Sequence, residues 1–355
     1  MSDEAWRPSI GAWVDGDGVG FRVWAPDATR VVVRVAGDSA PDDVPMAAEA
    51  DGWFSARVAG LGVGARYGFV LDDGPVFPDP ASRWQPDGVH ALSAVVDPAA
   101  FTWHSSAWTP PALESLVIYE LHVGTFTEQG TFAAAAGRLP WLAELGVTAV
   151  ELMPVAAFPG RRNWGYDGAA LFAPAGAYGT PDDLRHFVDE AHRLGLAVIV
   201  DVVYNHFGPD GAYAAACSRR FFSERHRSPW GAGINLDGPG SAGVRRFFIE
   251  HALAWLHEYR FDGLRLDATH ALVDESPTHF LADLTARVRA SLPDRAVWLI
   301  AEDHRNLRTL VESRAGGGWG LDGVWADDFH HVVRRRVAGD CEGYYQDFAG
   351  TLEEL

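Results

Sequence analysis

The sequence contains no lysine: all 29 basic residues are arginine. That absence excludes a Schiff-base lysine and a Walker-type phosphate loop, which both require one. Only two cysteines occur, Cys217 and Cys341, far apart in the chain. They imply no disulfide framework and no spaced zinc-ligand set. With no HExxH segment either, no metal and no cofactor is expected; His90 and the pair His330-His331 read as surface. No apolar run reaches the length of a membrane helix. The first thirteen residues include Asp3 and Glu4 and lack the apolar core of a secretory signal. A cytoplasmic location is expected. Positive charge is scarce: the net charge is −19, which argues against nucleic acid and anionic membrane as partners. A neutral substrate such as a sugar is not disfavoured.

The 355 residues are 48% hydrophobic and 22% charged, enough apolar material for two domains. Between 11 and 72 the chain alternates in short β-branched runs, separated by turn dipeptides such as Asp51-Gly52. Strands at that spacing without helices predict an immunoglobulin-like β-sandwich, assigned to 1–92. A Pro-, Asp- and Trp-rich linker is placed at 93–112. From 113 to 355 the pattern becomes strand, then helix, repeatedly. Strands are predicted at 116–122, 147–152, 196–203, 263–267, 296–301 and 323–326. Helices are predicted at 131–145, 181–194, 244–259, 277–292 and 305–314. About six βα units of this kind read as part of a parallel (β/α)8 TIM barrel or a doubly wound sheet.

One stretch, 261–270, carries unusual chemistry. Along a strand, Arg265 and Asp267 share one face while Leu264 and Leu266 share the other. A buried carboxylate needs a partner, and Arg265 is positioned to supply it and to keep Asp267 ionised. The bland alternative is a structural ion pair. Further polar residues collect past other strand ends: Asp201, Asn205 and His206, then Glu302, then 327–331. Barrel enzymes place their chemistry at those ends. Two carboxylates on neighbouring strands, Asp267 and Glu302, are the equipment of glycoside hydrolysis.

The segments 201–206, 263–270 and the one around Glu302 resemble the first three sequence regions of the α-amylase family of glycoside hydrolases. Segments 119–126, 151–155, 158–167, 201–209, 230–235 and 327–331 look like its trehalose-releasing members. The resemblance runs from about Trp13 to the end. It implies a retaining hydrolase that cuts the α-1,4 bond next to the terminal trehalose of maltooligosyltrehalose. The synthase that makes this substrate would be a pathway partner. Asp267 would be the nucleophile and Glu302 the general acid and base. Arg265 would hold Asp267, His206 and His270 would bond sugar hydroxyls, and Tyr166 would stack under the sugar. Asp327, Asp328, Phe329 and His330 would face the leaving group. Asp201 and Asn205 either touch substrate or brace the strand end; Trp164 and Asp167 are equally open. A branching or debranching enzyme of the same family, or a non-catalytic glucan-binding barrel, are the alternatives.

The resemblance also implies an Asn-His-Asp segment after a seventh strand, and none occurs in 1–355. The first and sixth strands are therefore expected to be left as open edges. The 355 residues by themselves are expected to be poorly soluble and inactive.

Overall fold

The computed structural model describes residues 6–36 and 43–355. Residues 1–5, which belong to the stretch read above for its lack of a targeting signal, lie outside the described residues. Tight hairpins build the N-terminal part. Gly11–Asp15 and Gly18–Trp24 pair antiparallel around a turn in which Gly16 takes φ 61°, a conformation glycine adopts without steric cost. Trp53–Ala59 and Ala47–Ala48 complete that sheet. Asp43–Pro45, Val31–Ala36, Arg66–Leu71 and Val76–Phe77 form a second sheet, and Ser93–Ala94 also pairs with Arg66–Leu71. Val19 and Phe21 from one sheet meet Val33 and Phe69 from the other in a shared core.

Six parallel strands follow: β1 (Ile118–Leu121), β2 (Ala149–Leu152), β3 (Ala197–Val202), β4 (Gly263–Leu266), β5 (Trp298–Glu302) and β6 (Gly323–Trp325). They lie in sequence order, each hydrogen-bonded to the next. One face packs Ala149, Ala197, Ile199, Trp298 and Ile300 against Trp108, Leu113 and Leu116 from the preceding segment. The other face, with Val150, Val198, Leu264 and Leu299, lies in the large core shared with the helices. Cover on both faces is why β3 reads as nearly continuous apolar sequence.

Besides two four-residue helical turns, Val123–Phe126 and Ala214–Cys217, the helices among the described residues are α1 (Phe132–Ala136), α2 (Leu139–Leu145), α3 (Pro181–Arg193), α4 (Ser241–Glu258), α5 (Phe280–Ser291) and α6 (Asp327–Ala338). A capping box starts α3: Thr180 accepts from the Asp183 N–H, Asp183 accepts from the Thr180 N–H, and Pro181 follows at the first helical position.

Two helix expectations are corrected. The predicted helix 131–145 is two helices, α1 and α2. Pro140 has no N–H to continue α1, and its ring would crowd the carbonyl four residues back; it sits instead in the first turn of α2. The predicted helix 305–314 is replaced by two single turns, Arg308–Leu310 and Arg314–Gly316. Asp303 takes the Arg305 backbone N–H and its guanidinium, and Asn306 stands at φ 49°, outside helical space.

The sandwich docks on α4. The Trp24 ring lies so close to Gly243 that a Cβ there would come within 2.2 Å of it. Arg246 of α4 lies 4.8 Å over the Trp53 ring, and Ser9 bonds Glu250.

Candidate active site

Three neighbouring strands end in charge. Asp201 near the end of β3 is in register with Arg265 of β4, and Asp267 follows two residues later, on the same face. Glu302 closes β5. Arg265 is 7% exposed and touches all three carboxylates: Nη1 lies 2.7 Å from Asp201 Oδ2 and 2.9 Å from Asp267 Oδ1, and Nη2 lies 3.3 Å from Glu302 Oε2. Burial opposes the Arg265 charge, but the surrounding acidic groups hold its pKa above the ordinary value.

Further hydrogen bonds fix each carboxylate. The Asn205 amide donates to Asp267 Oδ2 at 2.8 Å and to the Asp267 carbonyl at 3.0 Å. The Ala268 N–H donates to Glu302 Oε2 at 2.6 Å. Thr269 Oγ1 is bonded to the Glu302 carbonyl and to Asp303 Oδ2. Asp303 is buried, yet its bonds from Arg305 and Thr269 keep its carboxyl below the usual range. Tyr166 Oη donates to Asp201 Oδ2 at 2.9 Å. Asp201 and Asn205 thus brace Arg265 and Asp267 from within the protein.

Arg265 is the partner expected for Asp267, and its charge and hydrogen bond lower the Asp267 carboxyl. Burial is the largest influence on Asp267 and raises its carboxyl; Arg265 and the Asn205 amide only offset part of that, and the nearby Glu302 adds to the rise. Asp201 is pushed up to about 7, again by burial first. One arginine stands among more carboxyls than it can neutralise.

The expected sugar contacts are placed unevenly. His206 is buried, with Nδ1 against Asn205 Oδ1 and Nε2 2.9 Å from the Tyr166 carbonyl. Both ring nitrogens are therefore engaged by the protein, and the ring stacks on Trp230 at 5.0 Å. His270 lies beside the pair, its Nδ1 without a hydrogen-bond partner among the described residues and its ring 4.4 Å from that of His304; burial lowers its pKa. Asp327 opens α6 against Glu302, where burial and the Glu302 charge raise its carboxyl. Asp328 follows in the same first turn, where the helix dipole favours acids. Phe329 is 57% exposed, and His330 turns toward His331 and Tyr345. Trp164 is 73% exposed and lines an open cleft with His122, Arg162 and Tyr178.

Sequence reasoning missed two residues here. Glu151 of β2 is fully buried, and neither carboxyl oxygen has a hydrogen-bond partner among the described residues. Burial first, then Asp201, push its pKa up to about 8. A single acid inside an apolar run was the available signal. Ala268 gave none: its left-handed backbone (φ 43°, ψ 53°) is not written in an alanine. Away from the pair, His226, Asp237 and Glu275 cluster as potential metal ligands, but Arg225 lies 2.9 Å from Asp237 and 3.3 Å from Glu275 and already supplies the cation.

Residues 82–228 match the family model of the alpha amylase catalytic domain, and residues 9–81 match that of carbohydrate-binding module 48, the isoamylase N-terminal domain. Malto-oligosyltrehalose trehalohydrolase of Saccharolobus solfataricus is 44% identical over 98% of this chain and 60% of its own length. The protein of that name from Deinococcus radiodurans is 47% identical over 96% of this chain and 54% of its own.

Over residues 82–228 the chain is similar to the α-amylase family.

A solved structure from Salmonella typhimurium, 45% identical, superposes with a TM-score of 0.89 over 96% of this chain and 58% of that one. The chain spans 54–60% of the length of these three relatives. The carbohydrate-binding match covers the sandwich strands from Gly11 to Phe77, and the alpha amylase match covers β1 to β3 of the parallel sheet.

Proposed function

We propose that the protein of which these residues form part is a glycoside hydrolase that releases trehalose from maltooligosyltrehalose with retention at the anomeric carbon. The observation that carries this is the Arg265 guanidinium, in contact with both Asp267 and Glu302. A retaining route needs two carboxyls about 5 Å apart, and a shared guanidinium keeps them close. The similarity to trehalohydrolases supplies the substrate.

In this reading an Asp267 oxygen attacks the anomeric carbon of the maltooligosyl unit. The bond to the trehalose oxygen breaks, and Glu302 gives that oxygen its proton. Trehalose leaves, with a covalent ester on Asp267. Glu302 then takes a proton from water; the water oxygen attacks the same carbon, and Asp267 departs as a carboxylate. Arg265 and the Asn205 amide stabilise that carboxylate. His206, His270 and Tyr166 contact the sugar being cleaved, and Asp327, Asp328, Phe329 and His330 belong to the trehalose side. The six parallel strands are the first part of an eight-stranded TIM barrel, preceded by the sandwich, which includes the paired strand Ser93–Ala94, and by the linker that follows it. No helix among the described residues is long and apolar enough to cross a membrane, and a cytoplasmic site beside the synthase that supplies the substrate suits the chemistry.

The test is to incubate the protein with maltooligosyltrehalose and, separately, with a branched glucan. Free trehalose from the first and no change in the second is the expected result. Branch transfer or debranching without trehalose release would replace this reading with its alternative.

A further inference from the structure

A cavity of about 590 Å³ opens at the end of the sheet opposite the carboxylate pair. Its residues come from the segment before β1, the end of α4, and the turns that precede β4 and β5. Its walls are aromatic. Trp6 stacks on His257 at 4.8 Å, and Trp108 stacks on His192 at 4.6 Å. Trp103 lies under the Arg260 guanidinium at 4.4 Å.

Arg260 is the unusual member. It follows α4 and its C-cap Tyr259, with φ 55°. Glycine is the usual occupant of that left-handed position, because a Cβ there costs roughly 1 kcal/mol. The cost implies that the side chain is wanted. The Arg260 guanidinium has no hydrogen bond and no close ion pair among the described residues; it meets the Trp103 ring and feels the charge of Asp189, whose oxygens are taken by the His104 and Ser105 N–H groups. Arg295 is fully engaged: it donates to the Leu256 carbonyl at 2.6 Å and the Arg260 carbonyl at 2.7 Å, clamping the turn. Glu258, the carboxylate of the cavity wall, lies 3.4 Å from Arg83, which offsets it. Burial lowers the His257 pKa to about 4, with Arg295 adding to the effect, so His257 is neutral. Asp189 offsets part of the Arg260 charge, but the Arg260 N–H donors themselves are left without an acceptor among the described residues. A partly desolvated cation without an acceptor favours an anion, and flat tryptophan faces favour the apolar face of a sugar ring.

We propose that this cavity binds a small phosphorylated sugar, with its phosphate on Arg260 and its ring against the tryptophans, separately from the carboxylate site.

The test is isothermal titration of the purified protein with glucose 6-phosphate, inorganic phosphate and maltose. Glucose 6-phosphate is expected to bind saturably, about tenfold or more tighter than phosphate, with maltose failing to displace it. Arg260→Gln is expected to weaken that binding by about tenfold or more, a difference readily measured. Arg260→Gly, which suits the backbone and keeps the fold, should give the same loss without a lower melting temperature. Glu302→Gln should leave binding unchanged. Absence of saturable binding, equal binding by Arg260→Gly, or displacement by maltose would each overturn the proposal. Equal affinity for phosphate alone would also overturn it, since the tryptophans would then contribute nothing.

Discussion

Glu302 Oε2 accepts a 2.6 Å hydrogen bond from the backbone N–H of Ala268, the residue directly after Asp267. The two proposed catalytic carboxylates are thereby tied through one peptide unit as well as through Arg265. That peptide points at Glu302 because Ala268 is held at φ 43° and ψ 53°. A left-handed alanine costs about 1–2 kcal/mol, so the surrounding packing must impose it.

Substitution at Ala268 tests that tie. Ala268→Gly is expected to keep the fold and most of the turnover, because glycine adopts the same backbone freely. Ala268→Val, with a β-branched side chain ill-suited to that conformation, should lower turnover by at least about tenfold. Turnover and urea unfolding of both variants are the measurements. A valine variant with unchanged turnover would show that the amide does not set Glu302.

Removing either carboxylate should remove a chemical step. In the full-length context, Asp267→Asn and Glu302→Gln are each expected to lower trehalose release by roughly three orders of magnitude or more. Glu302→Gln should unfold like the parent. Asp267→Asn should be no less stable than the parent at neutral pH, because burial raises the Asp267 carboxyl despite Arg265 and Arg265 keeps Asp201 and Glu302 as partners. A variant retaining more than about a tenth of parental turnover would have been assigned the wrong role, as tenfold is only ~1.4 kcal/mol of barrier.

Glu151 should make stability depend on pH in a direction opposite to the usual acid. Its folded pKa of about 8 lies above the ordinary value of 4.5 for this carboxyl. The folded state therefore holds the proton more tightly than the unfolded chain, and stability falls as pH rises from near 5 through 8. Glu151→Gln cannot ionise, so it should match the parent near pH 5 and exceed it near pH 8, by on the order of a few kcal/mol. Urea midpoints across that range are the measurement. Parallel pH curves for parent and variant would mean that Glu151 is ionised or otherwise paired.

The seam between sandwich and α4 depends on one missing methyl group. Gly243→Ala would bring its Cβ within 2.2 Å of Trp24, so the ring or the helix must move. A loss of about 1–3 kcal/mol is expected, the usual cost of overpacking. Trp24→Leu in the same chain should recover part of it. Unfolding midpoints of the single and double variants give the answer, and an additive pair would show that the ring is not the obstacle.

The order of strands and helices was legible in the sequence because periodicity is a local property. Alternation alone put Arg265 and Asp267 on one face, and β5 was expected at 296–301, directly before Glu302. Local rules also misled where a stronger local contact intervened. Asp303 binding Arg305 ended what looked like a helix at 305–314, and Pro140 divided another.

The rest was decided by which strands became neighbours. The sequence shows that Glu151 sits in an apolar run, but only the packing of β2 beside β3 leaves its carboxyl unpartnered and near Asp201. It likewise names Arg265 as a partner for Asp267, while the burial that raises Asp267 despite that partner comes from the assembled strands around it. Ala268 and Glu302 are 34 residues apart. No propensity of alanine predicts a left-handed backbone there; it exists because the parallel pairing of β4 and β5 fixes both ends of that hydrogen bond before the local preference of either residue can act.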